Sequence, residues 1–225
     1  MKKVILCSGG IDSTTCLALA LQDTLPEDIL ALNLYYGQRH DREIRSAREV
    51  ARYYNIELIE LNLAEIFNWS NCSLLKASTK DIPEESYADQ LTKTDGHPVN
   101  TYVPFRNGLM LSVAASIAVS VGATEIWYGA HADDAAGNAY PDCSVAFTDA
   151  INKAIYEGTG GQVNVTGPFV NFTKADVVRE GLRLNAPYNL TWSCYKGGEH
   201  PCGKCGTCID RANAFKINNA VDPVK

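Results

Sequence analysis

The sequence predicts an α/β fold with a doubly wound, mostly parallel, Rossmann-like sheet and a small cysteine-rich C-terminal lobe. Three observations predict it. Apolar runs alternate with helical patterns along most of the 225 residues, the first run breaks directly into a Ser-Gly-Gly turn, and four cysteines crowd together near the C-terminus. Such alternation favours parallel strands joined by crossover helices. Ligands of such sheets bind beyond the carboxyl ends of the strands.

The individual elements follow from the positions of the apolar runs. Predicted strands comprise residues 4–7, 29–35, 57–63 and 125–128, and predicted helices comprise residues 13–22, 41–54, 106–121, 174–184 and 209–217, with a short extended piece after residue 163. Residues 68–104 are polar and show no period, so we interpret them as a lid or a partner-contacting insertion. We therefore expect a main domain over residues 1–185 and a C-terminal lobe over residues 186–225.

Composition narrows the class of protein. Hydrophobic residues make up 46% and charged residues 20% of the chain, as in ordinary globular proteins. The first apolar run is too short for a secretory signal, and no run reaches the roughly 18 residues of a membrane span, so we expect a cytoplasmic protein. A net charge of −6 gives no general attraction to nucleic acid or anionic lipid. We therefore expect small-molecule partners.

The segment at residues 8–13 has the features of an anion-binding turn. Gly9 and Gly10 allow backbone angles that a Cβ would forbid, and the following helix start points N–H groups outward. The Ser8 and Ser13 hydroxyls can donate hydrogen bonds. Asp12 is acidic where an anion should bind, which favours a magnesium ion between it and phosphate groups. The Walker spacing and its lysine are missing. The alternative is a tight turn that binds nothing.

The cysteines divide into four scattered residues and one C-terminal cluster. Cys194, Cys202, Cys205 and Cys208 offer four sulfur ligands at close spacing, which suits a tetrahedral structural zinc ion. In a reducing compartment a disulfide framework is not expected. The alternatives are an iron–sulfur cluster, redox-active or merely buried cysteines, and His200 in place of one sulfur.

Several motifs occur in order along the chain and carry a family resemblance. The Ser-Gly-Gly-x-Asp-Ser segment resembles the signature of the N-type ATP pyrophosphatases, which cleave ATP between its α and β phosphates. Four further motifs are Tyr-Gly-Gln-Arg-His at 36–40, Val-Pro-Phe-Arg-Asn at 103–107, Tyr-Pro-Asp-Cys at 140–143, and the Ser-Cys-Tyr start and Cys-Gly-Lys-Cys continuation of the cysteine cluster. Together they resemble the 7-cyano-7-deazaguanine synthase family of the queuosine pathway over nearly the whole chain.

This resemblance implies an adenine nucleotide alpha hydrolase-like fold and a carbon–nitrogen ligase. The 7-carboxylate of 7-carboxy-7-deazaguanine is adenylated by ATP, ammonia displaces AMP to give an amide, and renewed activation of the amide leaves the nitrile. The resemblance also suggests a homodimer. Alternatives are a related enzyme that stops at the amide or conjugates the deazaguanine, a tRNA thiolase, and a zinc-stabilised nucleotide-binding module. One departure is Asn138-Ala139, where family members often carry Ser-Gly.

Site residues follow from matching positions. Asp12, Ser13 and Arg106 are the expected catalytic residues, and Arg106 and Arg39 also suit phosphate or carboxylate by fork geometry. The family's nucleotide segment corresponds to Cys7, Ser8, Gly9, Gly10, Ile11, Asp12, Ser13, Thr14, Thr15, Cys16 and Leu17. Candidate substrate-binding residues are Tyr36, Arg39, Arg106, His131, Asp133 and Asp142, each of which could instead serve packing, a turn or a surface ion pair.

Overall fold

A computed structural model describes residues 2–224 of the chain. At its centre is a sheet of five parallel strands in the order β3-β2-β1-β4-β5. The strands are β1 (Lys3–Leu6), β2 (Ile29–Tyr35), β3 (Glu57–Asn62), β4 (Glu125–Trp127) and β5 (Asn164–Thr166). The sheet confirms the predicted doubly wound architecture.

Helices cover both faces of the sheet. They are α1 (Ile11–Ala20), α2 (Arg42–Tyr54), α3 (Tyr87–Leu91), α4 (Arg106–Val121), α5 (Ala132–Ala135), α6 (Val145–Gly158), α7 (Lys174–Arg183) and α8 (Gly206–Ile217). Because successive side chains of a strand point to opposite faces, Val4 packs into a core with α4, whereas Ile5 packs into a second core with α1 and α2. The largely buried β1 therefore lies at the centre, with connections running to both sides.

Most predicted elements are present, with small shifts at their ends. The bounds of β2 and α4 agree with the prediction, whereas α1 and α8 begin two and three residues before the predicted starts at 13 and 209. Helix α6 was not predicted. The polar insertion at 68–104 contains α3, and a bridge between Gln38 and Leu75 joins the insertion to the chain after β2. No helix within residues 2–224 is long and apolar enough to cross a membrane.

The C-terminal region packs directly on the sheet domain. The N–H group of Trp192 donates to the carbonyl of Gly9 at 3.0 Å. Arg211, which is buried, forms a forked pair with Asp222 at 2.7 and 2.8 Å and donates to Thr191 at 2.9 Å. The first contact joins the C-terminal region to the glycine turn, and the Arg211 contacts tie the segments before and after the cysteine cluster to each other. The domain boundary at residue 185 stays a prediction.

Candidate active site

A cleft opens beyond the carboxyl ends of β1, β2 and β4, with the glycine turn at its base. Hydroxyl groups hold this turn in shape. The Ser13 hydroxyl accepts from the N–H group of Ser8 at 3.2 Å and donates to the carbonyl of Gly10 at 3.2 Å, and the Ser8 hydroxyl accepts from the N–H group of Gly10 at 3.3 Å. The first turn of α1 has N–H groups without intrahelical partners. The turn can therefore receive an anion.

Two glycines permit close approaches around the turn. Gly9 has φ +84°, and a Cβ on it would lie 2.4 Å from the carbonyl oxygen of Glu43 and 2.5 Å from the backbone nitrogen of Ala47. A Cβ on Gly129, directly after β4, would lie 2.9 Å from the backbone carbon of Asp12. These distances are too short for any side chain. Gly9 thus lets α2 pack on the turn, and Gly129 lets β4 end against α1.

Asp12 belongs to a cluster of four ionisable groups. Its two carboxylate oxygens accept hydrogen bonds from the Lys174 ammonium at 2.6 and 2.7 Å. His131 Nε2 lies 3.8 Å from Asp12, 3.4 Å from Lys174 Nζ and 3.3 Å from Asp134. Burial raises the pKa of the Asp12 carboxyl, but Lys174 and His131 outweigh this and hold it below its ordinary value of 3.8. Asp12, the acid expected to bind magnesium, is thus paired with Lys174.

The start of α7 explains why Lys174 reaches Asp12. Thr173 and Asp176 form a reciprocal capping box, with bonds of 3.2 and 3.0 Å between each side chain and the other's backbone N–H group. The N–H group of Lys174 donates to the Asp133 carboxylate at 2.7 Å. Because α7 follows β5, this cap brings Lys174 to the edge of the sheet where β1 ends. Asp133 itself anchors α7 and does not line the cleft.

The opposite wall of the cleft combines aromatic and charged side chains. The Arg106 guanidinium lies 5.0 Å from the centre of the Tyr36 ring. Tyr87 of α3 and Tyr195, next to the cysteine cluster, share a hydroxyl–hydroxyl bond of 2.6 Å. Burial raises the pKa of the Glu43 carboxyl to about 7, with nearby Arg106 acting in the opposite direction. This wall therefore suits a ring with polar edges.

The structure brings nine of the predicted residues together at the cleft: Cys7, Ser8, Gly10, Ile11, Asp12, Ser13, Tyr36, Arg106 and His131. Four predicted nucleotide-binding residues lie elsewhere, because the later positions of α1 face the protein core. These fully buried residues are Thr14, Thr15, Cys16 and Leu17. Gly9 shapes the turn without lining the cleft.

Two further predicted substrate-binding residues also lie outside the cleft. The chain after β2 pairs with the insertion, so Arg39 donates to the carbonyl of Lys80 at 2.5 Å and not to the cleft. The Asp142 carboxylate is buried and accepts from the N–H group of Asn107 at 2.8 Å, which fixes the start of α4. Asn138, the departure from the family pattern, donates to the carbonyl of Gly96 at 3.0 Å, also outside the cleft.

Several cleft residues were not predicted from the sequence. They are Glu43, Tyr87, Asp134, Lys174, Trp192, Tyr195 and Asp210, among others. Only a partial signal existed for Lys174, since a capping-box helix start that follows an extended segment can lie at the ligand-binding edge of a parallel sheet. For the others the linear sequence carries no comparable signal.

The four clustered cysteines form a compact sulfur site. Their Sγ atoms all lie within 4.8 Å of one another. Tetrahedral zinc with bonds of about 2.3 Å would need sulfurs about 3.8 Å apart, so the set fits a metal such as zinc. The N–H group of Cys202 donates to the sulfur of Cys194 at 3.3 Å, and that of Cys205 donates to the sulfur of Cys202 at 3.4 Å.

Curated relatives resemble this chain over its full length. The 7-cyano-7-deazaguanine synthase of Archaeoglobus fulgidus is 40% identical over 225 residues, covering 100% of this chain and 90% of that protein. The synthase of the same name from Oceanobacillus iheyensis is 38% identical, with coverage of 100% and 97%. Both alignments extend over the whole chain, including the glycine turn and the cysteine cluster.

Solved structures share the fold at low sequence identity. NMN synthetase from Francisella tularensis aligns with TM-score 0.54 and 18% identity, covering 98% of this chain and 78% of that one. The U34-tRNA thiolase NcsA from Methanococcus maripaludis aligns with TM-score 0.50 and 15% identity, covering 97% and 65%. The family model described as queuosine biosynthesis protein QueC matches residues 2–219. The chain therefore belongs to the QueC family.

Proposed function

We propose that this chain is a 7-cyano-7-deazaguanine synthase, which uses ATP and ammonia to convert 7-carboxy-7-deazaguanine into its nitrile. The observation that carries the proposal is the ion pair of Asp12 and Lys174 at the glycine turn, where a helix N-terminus, two serine hydroxyls and a lysine converge. This is the charge pattern that a departing pyrophosphate needs. Full-length relatives named for this activity support the choice of substrate.

The first half-reaction is adenylation of the substrate acid. A carboxylate oxygen attacks the α-phosphorus of ATP, and the bond to the bridging oxygen of the β-phosphate breaks. The glycine turn, Ser8 and Ser13 would hold the pyrophosphate, and Lys174 would transfer its hydrogen bonds from Asp12 to the phosphate oxygens. Magnesium, when bound, supplies charge neutralisation there, and carboxylate oxygens of Asp12 and Asp134 would hold it.

The second half-reaction forms the carbon–nitrogen bond. Ammonia adds to the acyl carbon, AMP leaves with its oxygen, and the amide loses a proton. A renewed adenylation of the amide oxygen, followed by loss of AMP and a proton, leaves the nitrile. Arg106, within the cleft beside Tyr36, would bind the acid before adenylation by its fork geometry. These steps rely on positioning more than on side-chain acid–base chemistry.

Other predicted properties enter the same proposal. Residues 186–225 would hold one structural zinc ion through Cys194, Cys202, Cys205 and Cys208, which leaves no open ligand position. The active form would be a cytoplasmic homodimer that acts on small molecules and not on nucleic acid. The exposed apolar side chains that follow edge strand β3, Ile66 and Trp69 among them, support a subunit contact.

The test is a reaction with defined components. Purified protein is incubated with ATP, magnesium, ammonium and 7-carboxy-7-deazaguanine, and products are identified by mass. We expect AMP, pyrophosphate and the nitrile. Accumulation of the amide alone would favour the related amide-forming enzymes, which the position of Asn138 outside the cleft does not support. Absence of ATP turnover with any deazapurine would contradict the proposal.

A further inference from the structure

Glu43 places a carboxylate in the cleft, and no residue that the structure describes pairs with it. It lies in the first turn of α2 and faces the cleft with Arg106 and Tyr36. Asp12 is bonded to Lys174, and Asp134 lies 3.3 Å from His131. By contrast, no group within residues 2–224 forms a hydrogen bond or an ion pair with the Glu43 side chain. A half-buried carboxylate that lines the cleft without such a partner is available to accept hydrogen bonds from a ligand.

Arg106, a cation that lines the same cleft, gives a second argument for a ligand. It is near enough to Glu43 to lower the pKa of that carboxyl, yet the two groups do not come within 4.0 Å to form an ion pair. The Arg106 guanidinium instead lies over the Tyr36 ring. A cation and an anion that face one cleft without pairing can each bind a different end of one ligand.

The position of Glu43 is fixed by the turn that binds phosphate. Its backbone carbonyl packs so closely on Gly9 that a Cβ there would lie 2.4 Å away. This contact fixes the backbone of Glu43 next to the turn, and its side chain lines the same cleft. A base bound beside Tyr36 would meet it edge-on, whereas phosphates would lie at the Lys174 end of the cleft.

The ligand chemistry follows from what a carboxylate accepts. Guanine-type rings present an N1–H and a 2-amino group side by side, which is a pair of donors that one carboxylate can bind with both oxygens. Adenine presents a ring acceptor beside its amino group, which would repel one of those oxygens. We propose, resting on the function proposed above, that Glu43 accepts hydrogen bonds from the N1–H and 2-amino groups of the deazaguanine and so selects this base, while Arg106 faces its carboxylate.

The experiment compares two substrates in two proteins. The substrates are 7-carboxy-7-deazaguanine and its analogue without the 2-amino group, and kcat/KM is measured for each at saturating ATP. We expect wild type to prefer the natural substrate by about 10- to 100-fold, the usual discrimination from one bidentate pair. Glu43→Gln should lose most of this preference with an unchanged KM for ATP. Glu49→Gln, which removes an exposed carboxylate from the same helix, is the matched control and should keep it.

Failure of the inference is distinct from failure of the proposed function. If wild type turns over the natural substrate and Glu43→Gln keeps the full preference, or raises the KM for ATP instead, Glu43 does not read the deazaguanine. A wild type without turnover would contradict the function itself. If Glu43→Gln does not fold, Glu43→Asp carries the same test, because its shorter carboxylate should weaken the preference while keeping the charge. An unchanged preference in Glu43→Asp would then overturn the inference.

Discussion

At the scale of single residues, Lys174 supplies the positive charge that offsets Asp12 at the glycine turn. An acid alone at a phosphate site would repel the ligand, whereas an acid whose counter-ion is a lysine can release that lysine to phosphate. We expect Lys174→Gln to lower kcat/KM for ATP by about 10²- to 10³-fold, the usual effect of removing one donor to developing charge. Pyrophosphate release at varied ATP concentrations measures it.

The control for this prediction is Lys153→Gln, an exposed lysine on α6 outside the cleft. It removes the same charge without changing the site, so ATP kinetics should stay at the wild-type level. Equal kinetics in the two variants would show that Lys174 serves only to neutralise Asp12.

The Glu43 carboxyl should also change how the free energy of unfolding depends on pH. Burial raises the pKa of its carboxyl from 4.5 to about 7 in the folded protein. The folded state therefore keeps a proton that the unfolded state releases, and wild type loses stability as pH rises from 4.5 to 7. Each pH unit in this window is worth at most about 1.4 kcal/mol. Relative to wild type, Glu43→Gln should gain free energy of unfolding across the window.

Urea unfolding at several pH values between about 4.5 and 7.5 measures this difference. Glu49→Gln is again the matched control and should show a difference from wild type that does not vary with pH. A constant difference for Glu43→Gln as well would mean that the carboxyl titrates normally in the folded protein.

Sequence reasoning included Asp12 and Arg106 in the expected site because each lies inside a contiguous motif, and both residues line the cleft. It did not find Lys174 or Glu43 as site residues. Lys174 lies far along the chain from Asp12, and the capping box that positions it also occurs in helices without any site. Glu43 lies in a highly charged helix that is indistinguishable from a solvated surface helix until α2 is packed on Gly9. Tertiary packing, and not local pattern, makes both residues functional candidates.

At the scale of elements, local sequence pattern predicts some helices and strands, whereas others depend on tertiary packing. The bounds of β2 and α4 were predicted because apolar runs of the right length begin at or directly after a charged residue and are followed within two residues by a glycine. Helix α6 was missed because most of its residues are exposed or half-buried, and its start depends on the Ser144 hydroxyl accepting from the N–H group of Phe147. Thr14, Thr15 and Cys16 were assigned to nucleotide because the motif includes them, although the helix turns them into the core.

The turn after β1 allows a matched test of packing against conformation. Gly9 and Gly96 have φ of +84° and +80°, but a Cβ on Gly96 would meet nothing within 4 Å. Gly96→Ala should therefore cost only the left-handed conformation, about 1–2 kcal/mol. Gly9→Ala should cost clearly more, because α2 must also move away from the turn, and it should abolish ATP turnover. Urea unfolding measures the loss of stability, and pyrophosphate release measures ATP turnover. An equal loss of stability in the two variants would show that α2 moves away from the turn without an energetic penalty.

At the scale of the whole molecule, edge strand β3 bears on the proposed homodimer. Trp69 is 90% exposed and Ile66 50% exposed just beyond the end of this strand, and large apolar side chains so placed indicate a contact surface. We expect Trp69→Glu to convert a dimer into a monomer, measured by light scattering after size-exclusion chromatography. Ile217→Glu, at the exposed end of α8, should leave the dimer intact. A wild-type monomer would contradict the prediction.

The cysteine cluster should couple metal content to both stability and the cleft. Tyr195 follows Cys194 directly, and Asp210 lies two residues after Cys208 in α8, so both cleft residues belong to the segments that carry the clustered cysteines. Structural zinc sites are worth roughly 10 kcal/mol or more in small domains. Loss of the metal should therefore loosen one wall of the cleft while the five-stranded sheet persists.

We expect Cys205→Ser to lose zinc, to lower Tm and to raise the KM for the deazaguanine more than the KM for ATP. The reason is that the glycine turn belongs to the sheet domain, whereas Tyr195 belongs to the segment of the clustered cysteines. Metal analysis, thermal unfolding and steady-state kinetics measure the three effects. Cys72→Ser, also buried but outside the cluster, should keep its zinc. Iron in the wild-type protein would contradict the choice of metal. Equal changes in both KM values would instead mean that the cluster supports the whole cleft and not one wall of it.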